Sequence, residues 1–299
     1  MKSDELVEIC LATYNGEKYL GELYNSLAIQ THSNWKLIIR DDGSADNTLA
    51  ILENLEKIDA RIKILHDKNG NVGVIKNFEL VLMETSANIV MLADQDDVWL
   101  ENKIEKSLAL LTLNLEPGHP KLVFTDLEIV DSTLSLIEKS FIESKKLTPL
   151  TSLELSSLIV QNVAPGCTMM FNRALIKLAL PFPDNIAMHD WWLLLVALVT
   201  GKVSYLNQST ILYRQHDNNV LGAGNYHMTG YKKRLTLAIE QSKELRRRFI
   251  GKLKPREYEV LRVFSNIRSY PIFFRQLKAI KIGLKKSSLM RNIIFYIMM

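Results

Sequence analysis

The chain predicts an α/β fold with a mostly parallel central sheet flanked by helices. Three observations carry the prediction. Apolar runs of strand length alternate with amphipathic helical stretches through residues 6–115. The runs lack polar alternation, as strands covered on both faces do. Each ends in a turn rich in Asp, Asn and Gly.

Leu6–Thr13 reads as the first buried strand. It stops at the turn Tyr14-Asn15-Gly16-Glu17, and the following helix carries Leu20, Leu23, Leu27 and Ala28 on one face. Trp35–Arg40 is the second strand and runs into Asp41-Asp42-Gly43-Ser44-Ala45-Asp46-Asn47-Thr48. Asp46 is placed there to cap a helix with Leu49, Leu52 and Leu55 inward. Ile62–His66 is a short third strand, and Asn69–Gly73 loops into a helix with Phe78, Val81 and Leu82 inward. Asn88–Ala93 is the fourth strand. It ends in Asp94-Gln95-Asp96-Asp97, and a long helix is expected from Trp99 to about Leu115.

Pro117-Gly118-His119-Pro120 breaks that helix, and Lys121–Thr125 resumes a strand. Leu127–Leu150 is polar and irregular and reads as a loop or lid. Leu153–Val160 looks helical, Gly166–Asn172 is another strand, and a short helix leads to Pro181-Phe182-Pro183-Asp184. His189-Asp190-Trp191-Trp192 opens an apolar helix through Val199. Val203–Tyr205 and Thr210–Arg214 are late strands, with Gln215-His216 at their end.

Right-handed crossovers put the loops after successive parallel strands on one edge. Thr13-Tyr14, Asp41-Asp42 and Asp94–Asp96 should therefore converge on one cleft, at the carboxyl edge where open α/β sheets bind ligands. Asp is disfavoured inside strands, so Asp94 marks that edge. Clustered carboxylates repel unless a cation or shared protons offset them, and hard oxygens suit Mg2+ or Mn2+. The plainer reading is a polar turn with Asp97 as helix cap. No G-x-G-x-x-G, Walker loop or zinc spacing is present, which removes the usual dinucleotide and P-loop cradles.

Cys10 and Cys167 lie in apolar runs and read as buried free thiols of a reducing cytosol. The polar N-terminus lacks an apolar signal core, and the longest apolar run, Trp191–Val199, is too short to span a bilayer. A cytoplasmic body is expected. Charge divides the chain of 299 residues. Tyr226–Met299 holds 18 Lys/Arg against 4 Asp/Glu, while residues 1–225 hold 19 against 29. An acidic body thus carries a basic, helically periodic tail, with apolar patches at Phe273-Phe274 and Ile293-Ile294-Phe295-Tyr296. Such a tail suits an anionic membrane surface, and the alternative is a solvated appendage or a means of self-association into a homodimer. The acidic body and the lack of a binding motif speak against nucleic acid.

Ala12-Thr13-Tyr14-Asn15-Gly16-Glu17, Asp41 to Thr48 and Asp94 to Asp97 come in an order and spacing that resembles family 2 glycosyltransferases, inverting enzymes of the GT-A fold. GCTMMFNR, HDWW and YRQH resemble the bacterial branch that includes rhamnosyltransferases of cell-wall and capsular polysaccharides. The resemblance covers residues 5 to about 220. It implies a GT-A domain over 1–225, with 226–299 as a basic amphipathic helical region.

By position it implies that Thr13 and Tyr14 hold the nucleotide base and ribose, Asp42 accepts from the base N–H, and Glu17 assists. Asp94 then faces ribose or metal, Asp96 binds Mn2+ or Mg2+, and Asp190 is the catalytic base. His216 and Arg214 lie where some members close over the diphosphate, His216 toward the metal and Arg214 beside the sugar pocket. Trp191, Trp192 and Gly166 would line the sugar or acceptor pocket.

The implied reaction moves L-rhamnose from dTDP-rhamnose, or a hexose from a UDP-sugar, to a saccharide or lipid-linked acceptor at the inner membrane face. A non-catalytic nucleotide-sugar binding module would keep the cleft without turnover. The intact set Asp42, Asp94, Asp96 and Asp190 argues against that. For Asp190 the plainer role is an N-cap, for Asp41 turn chemistry, for His189 a structural neighbour, and for one of the two tryptophans the core.

Overall fold

A computed structural model of the chain describes residues 4–147, 153–216 and 228–299. One nine-stranded sheet runs through it in the order β3 (Ile62–Ile64), β2 (Trp35–Asp41), β1 (Val7–Thr13), β4 (Ile89–Ala93), β8 (Met169–Asn172), β6 (Lys121–Val130), β9 (Lys202–Arg214) and β5 (Val98–Trp99), with β7 (Leu136–Glu138) on β6. Strands β1 (Val7–Thr13), β2 (Trp35–Asp41), β3 (Ile62–Ile64) and β4 (Ile89–Ala93) are parallel. Beyond β4 the sheet is mixed. β8 (Met169–Asn172) lies antiparallel to β4, and β6 (Lys121–Val130) antiparallel to β8. Two reversals restore the direction, so β6 and its parallel partner β9 (Lys202–Arg214) end on the same edge as β4.

Successive side chains of a strand point to opposite faces, and both faces here are apolar. Along β4, Val90 and Leu92 join one core cluster, whereas Ile89, Met91 and Ala93 join the other. That is why the sequence shows an unbroken apolar run. Helices α1 (Leu20–Ala28), α2 (Thr48–Ile58), α3 (Val74–Glu84) and α4 (Lys103–Thr112) connect the early strands. Phe78, Val81 and Leu82 of α3 are buried as expected, while Ala28 and Leu49 turn outward.

Three expectations need correction, each because a distant strand takes the segment. Trp99 does not begin a helix. It lies in β5 (Val98–Trp99), paired with Ile211 of β9, and α4 ends at Thr112 rather than near Leu115. Leu127–Val130 is not loop but the continuation of β6 alongside Leu212–Arg214. It is followed by β7 (Leu136–Glu138) and α5 (Phe141–Ser144), whose first turn is capped by Ser140 Oγ accepting from Glu143 N; residues 148–150 of that stretch lie outside the described residues. The two late strands are one, β9.

The chain then runs through α6 (Leu155–Leu158), a 3₁₀ turn at Gly166–Thr168, and α7 (Arg173–Ala179). Helix α8 (His189–Thr200) follows and is buried on nearly every side. Helix α9 (Met228–Phe249) packs Leu235, Ala238 and Ile239 into the same core, and α10 (Pro255–Ser265) adds Val260, Leu261 and Phe264. The last two helices are α11 (Ile272–Lys281) and α12 (Leu289–Met298). Among the described residues no helix is long and apolar enough to cross a membrane.

Candidate active site

The exits of β1, β2, β4 and β9 meet at one edge, as the topology requires, and hydrogen bonds stitch them together. Thr13 Oγ1 donates to Asp41 Oδ1 at 2.9 Å, and Asp41 also accepts from the Ser44 N–H and hydroxyl. Asp41 is therefore turn chemistry, as its plainer reading held. Glu17 spends its carboxylate on Asn47, accepting from the backbone N–H and the side-chain amide at 2.9 and 2.8 Å. Asp46 accepts from Thr48 N at the start of α2. Tyr14 leaves half of its surface to solvent, a ring able to meet a flat ligand.

Asp42 is 3% exposed and braces the neighbouring loop. Its Oδ1 accepts from Arg40 Nη1 at 2.8 Å and Val72 N at 2.9 Å, and its Oδ2 from Gly73 N at 2.8 Å. Gly73 holds φ +80°, a value that favours glycine. A carboxylate can accept about four hydrogen bonds, so Oδ2 keeps capacity for a ligand N–H. Arg40 reaches on to Asp67 at 2.6 Å and holds that carboxyl down at about 2.

The acid cluster follows β4. Asp96 Oδ2 lies 2.8 Å from His216 Nε2, both groups being partly exposed, and the His216 ring stacks on Tyr19 at 5.2 Å. Asp97 is fully buried. Its Oδ1 accepts from Arg214 N, and its Oδ2 has no hydrogen-bond partner. Asp94, Asp97 and Cys167 present ligand atoms within 4.8 Å of one another. Burial, then the charge of Asp96, then that of Asp190, pushes Asp94 up to about 7, and burial with Asp94 and Asp96 pushes Asp97 well up. Lys103 is buried below, donating to Cys167 O at 2.9 Å, and burial lowers it to about 8. An orphaned buried carboxylate oxygen beside mutually repelling acids fits a divalent cation. Asp94 is the accessible member of that group, and the Asp96–His216 pair lies on the same loop edge outside it. Cys167 is a soft donor, ill matched to Mg2+ or Mn2+.

Asp190 enters from the first turn of α8. It is not the N-cap, since that position is Met188 and makes no side-chain cap bond. Its Oδ2 accepts from Gly166 N at 3.1 Å and its Oδ1 from Trp191 N at 2.5 Å, and the side chain of Asn162 lies near enough to favour its charged form. Burial raises it to about 6. A Cβ at Gly166 would stand 3.2 Å from His189 Nε2, so that close approach suits glycine. His189 stacks on Phe78 at 4.1 Å, and burial holds it neutral, at about 3, as befits a structural neighbour.

Both tryptophans supply the apolar wall rather than an open sugar platform. Trp192 is 0% exposed with Nε1 donating to Ala179 O, and Trp191 is 8% exposed with Nε1 donating to Leu158 O. The placement of Trp192 in a sugar pocket is corrected on that ground. Arg214 also differs from a pocket-lining cation. It is 1% exposed, and its guanidinium donates to Asp96 O, Ser132 O and Glu22, clasping the acid loop from behind.

Sequence reasoning missed Gln95. Its Oε1 accepts from Tyr14 N at 2.9 Å and its Nε2 donates to Tyr14 O at 3.0 Å, fixing the β1 exit to the acid loop. Only the adjacent Gly16 signals it, because a Cβ there would stand 2.4 Å from Gln95 Oε1. Gln95→Ala removes both bonds, together about 1–2 kcal/mol, so nucleotide affinity should fall about tenfold with a smaller effect on kcat. Gly16→Ala should mimic it by displacing the amide. In a double-mutant cycle the two changes should be strongly non-additive, and additive losses would reject the clamp.

This edge, with its acid cluster and buried carboxylate over a sheet covered on both faces, is that of a GT-A nucleotide-sugar transferase. The first 349 residues of TarS from S. aureus, solved with UDP-GlcNAc, share the fold with a TM-score of 0.61 at 18% identity, over 93% of this chain and 88% of that one. The family model of glycosyl transferase family 2 matches residues 8–115. A glycosyltransferase of uncharacterised specificity from Haemophilus influenzae is 31% identical over 202 residues, 67% of this chain and 75% of its own. The dTDP-rhamnosyl transferase RfbG of Shigella flexneri is 28% identical over 235 residues, 75% of this chain and 77% of its own. The chain belongs to glycosyl transferase family 2.

Proposed function

We propose that the protein transfers a sugar, L-rhamnose from dTDP-rhamnose in the preferred reading, to a saccharide or lipid-linked acceptor with inversion at the anomeric carbon. The observation that carries this is the position of Asp94 between the acid loop and the start of α8, close enough to Asp96 and to Asp190 for both charges to raise it. Asp94, Asp96 and His216 would hold Mn2+ or Mg2+, which offsets the charge gathering on the leaving diphosphate. Thr13, Tyr14 and Asp42 bind the nucleoside, with Glu17 fixing the loop beside them. Asp190 takes the acceptor hydroxyl proton as that oxygen bonds to the anomeric carbon and the bond to the diphosphate breaks on the opposite face. Its raised pKa matches that task.

Residues 1–225 form the transferase unit in this reading, and the basic 226–299 region keeps it at the inner face of the cell membrane. The RfbG likeness supports dTDP-rhamnose, and a UDP-hexose is the competing donor. A thermal-shift panel of UDP, dTDP, GDP and CDP with and without Mn2+ tests the donor class, because a ligand of the folded state alone raises its stability. A Mn2+-dependent shift with dTDP is expected. A shift confined to UDP moves the donor to a UDP-hexose, and silence across the panel removes the transferase site.

A further inference from the structure

We propose that α11 and α12 form a hairpin that lies in the plane of an anionic lipid bilayer, with its outward apolar faces in the headgroup–acyl boundary. This builds on the reading of an enzyme at a membrane face and assigns the surface that does the docking. A surface helix of a globular protein turns its apolar stripe inward. Helix α12 seats Phe295 in the core yet turns most of its apolar side chains outward. Leu289, Met290 and Ile297 are at least 65% exposed, whereas Arg291 and Asn292 face the protein, donating to Lys145 O at 2.9 Å and Lys286 O at 3.0 Å. Helix α11 repeats the pattern with Ile272, Phe273 and Ile280, each at least 59% exposed. Single exposed apolar side chains are ordinary, but a run of them on adjoining helices marks an interaction surface.

The two helices act as one unit. Arg275 of α11 donates to Met299 O at 3.0 Å, Gln276 to Tyr296 O at 3.2 Å, and the Tyr296 hydroxyl to Leu284 O at 2.6 Å. Each is ten residues, about 15 Å long, half the ~30 Å hydrocarbon core. The hairpin can lie in an interface and cannot cross one.

Charge selects the occupant. After Glu259 the chain carries eight Lys/Arg and no Asp/Glu, and Lys281 and Lys285 are exposed on or beside α11. All four acids of the tail belong to α9 and α10, where they pair with local basic groups: Lys243–Glu240, Arg247–Glu244, Lys254–Glu257 and Arg262–Glu259. A second copy docked face to face would set one basic rim against another, whereas an anionic bilayer satisfies the apolar face and the rim together.

The hairpin is also fastened beside the site. Ser287, between its helices, accepts from the Gln161 amide at 3.1 Å and donates its N–H back at 3.0 Å, and the adjacent Asn162 lies beside Asp190. A lipid-linked acceptor held at the bilayer would thus meet the protein next to its base.

Co-sedimentation of the full chain with vesicles of phosphatidylcholine containing about one third phosphatidylglycerol tests the proposal, with phosphatidylcholine alone as reference. Binding to the anionic vesicles is expected. Lys281→Ser with Lys285→Ser should weaken it at least about fivefold, and Phe273→Ser with Ile297→Ser about tenfold or more. Lys232→Ser with Lys233→Ser on α9 should change it less than about twofold. Absence of vesicle binding, equal loss from the α9 pair, or a dimer that dissociates in the Phe273/Ile297 variant overturns the proposal. None of these residues touches the acid cluster, so the nucleotide-induced thermal shift should survive in all three variants, and its state reports on the transferase reading separately.

Discussion

Asp190→Asn is expected to lower kcat by about 10² to 10⁴-fold, the usual worth of a positioned general base. The substitution keeps the shape but only one acceptor oxygen, so one of the two bonds from Gly166 N and Trp191 N is lost, at a stability cost of about 1–3 kcal/mol that leaves the fold in place. What it removes is the capacity to take a proton. The Mn2+-dependent thermal shift by dTDP should persist within about a degree, because Asp190 holds the acceptor side rather than the nucleotide. Loss of the shift together with turnover would demote Asp190 to a structural role. The wild-type pH profile gives a second reading. Only the ionised carboxylate accepts a proton, and burial holds Asp190 at about 6, so kcat/KM should climb through that pH and level off above it. Asn162→Ala removes a nearby polar side chain that favours the ionised form and should move the rising limb to higher pH.

Much of this site was legible because it lies at strand ends that local pattern defines. The apolar run Ile89–Ala93 and its abrupt acidic stop located β4 and the edge without any partner strand in view. The same local logic failed wherever pairing is long-range. Trp99 has good helical neighbours in sequence, and only Ile211, more than a hundred residues later, makes it a strand. Residues whose work is positioning also left little trace. Arg40 sits near the end of an apolar strand, where a buried cation is unexpected, and its role depends on Asp42, Asp67 and Gly70 arriving together. The tail was legible as basic, and its division was not. Whether an apolar stripe faces in or out depends on what covers it, so the inward α9–α10 and the outward α11–α12 look alike as sequence.

Asp94→Asn is expected to make the protein more stable and less able to bind its donor. Asp94 sits at about 7 in the fold, raised first by burial and then by the charges of Asp96 and Asp190, against 3.8 without them. Between those values the folded state holds more protons than the unfolded one, so stability falls as pH rises through the window. Below about pH 4 both states are protonated, and an Asn, which resembles the neutral acid, should change little. At about pH 8 both are ionised and the fold carries the penalty of a half-buried charge among like charges, which solvent holds to at most about 2–4 kcal/mol at 1.36 kcal/mol per unit. The variant should therefore melt at higher temperature than the parent at about pH 8, with the difference vanishing toward pH 4. A cation bound by Asp94 and Asp96 would offset the same repulsion, so Mn2+ with nucleotide should stabilise the parent strongly and the variant weakly. Donor binding should fall by about two orders of magnitude, the scale of losing a charged ligand to the ion. Equal stability of parent and variant at about pH 8, or an undiminished Mn2+-dependent shift, would show that Asp94 neither carries this repulsion nor answers to the cation.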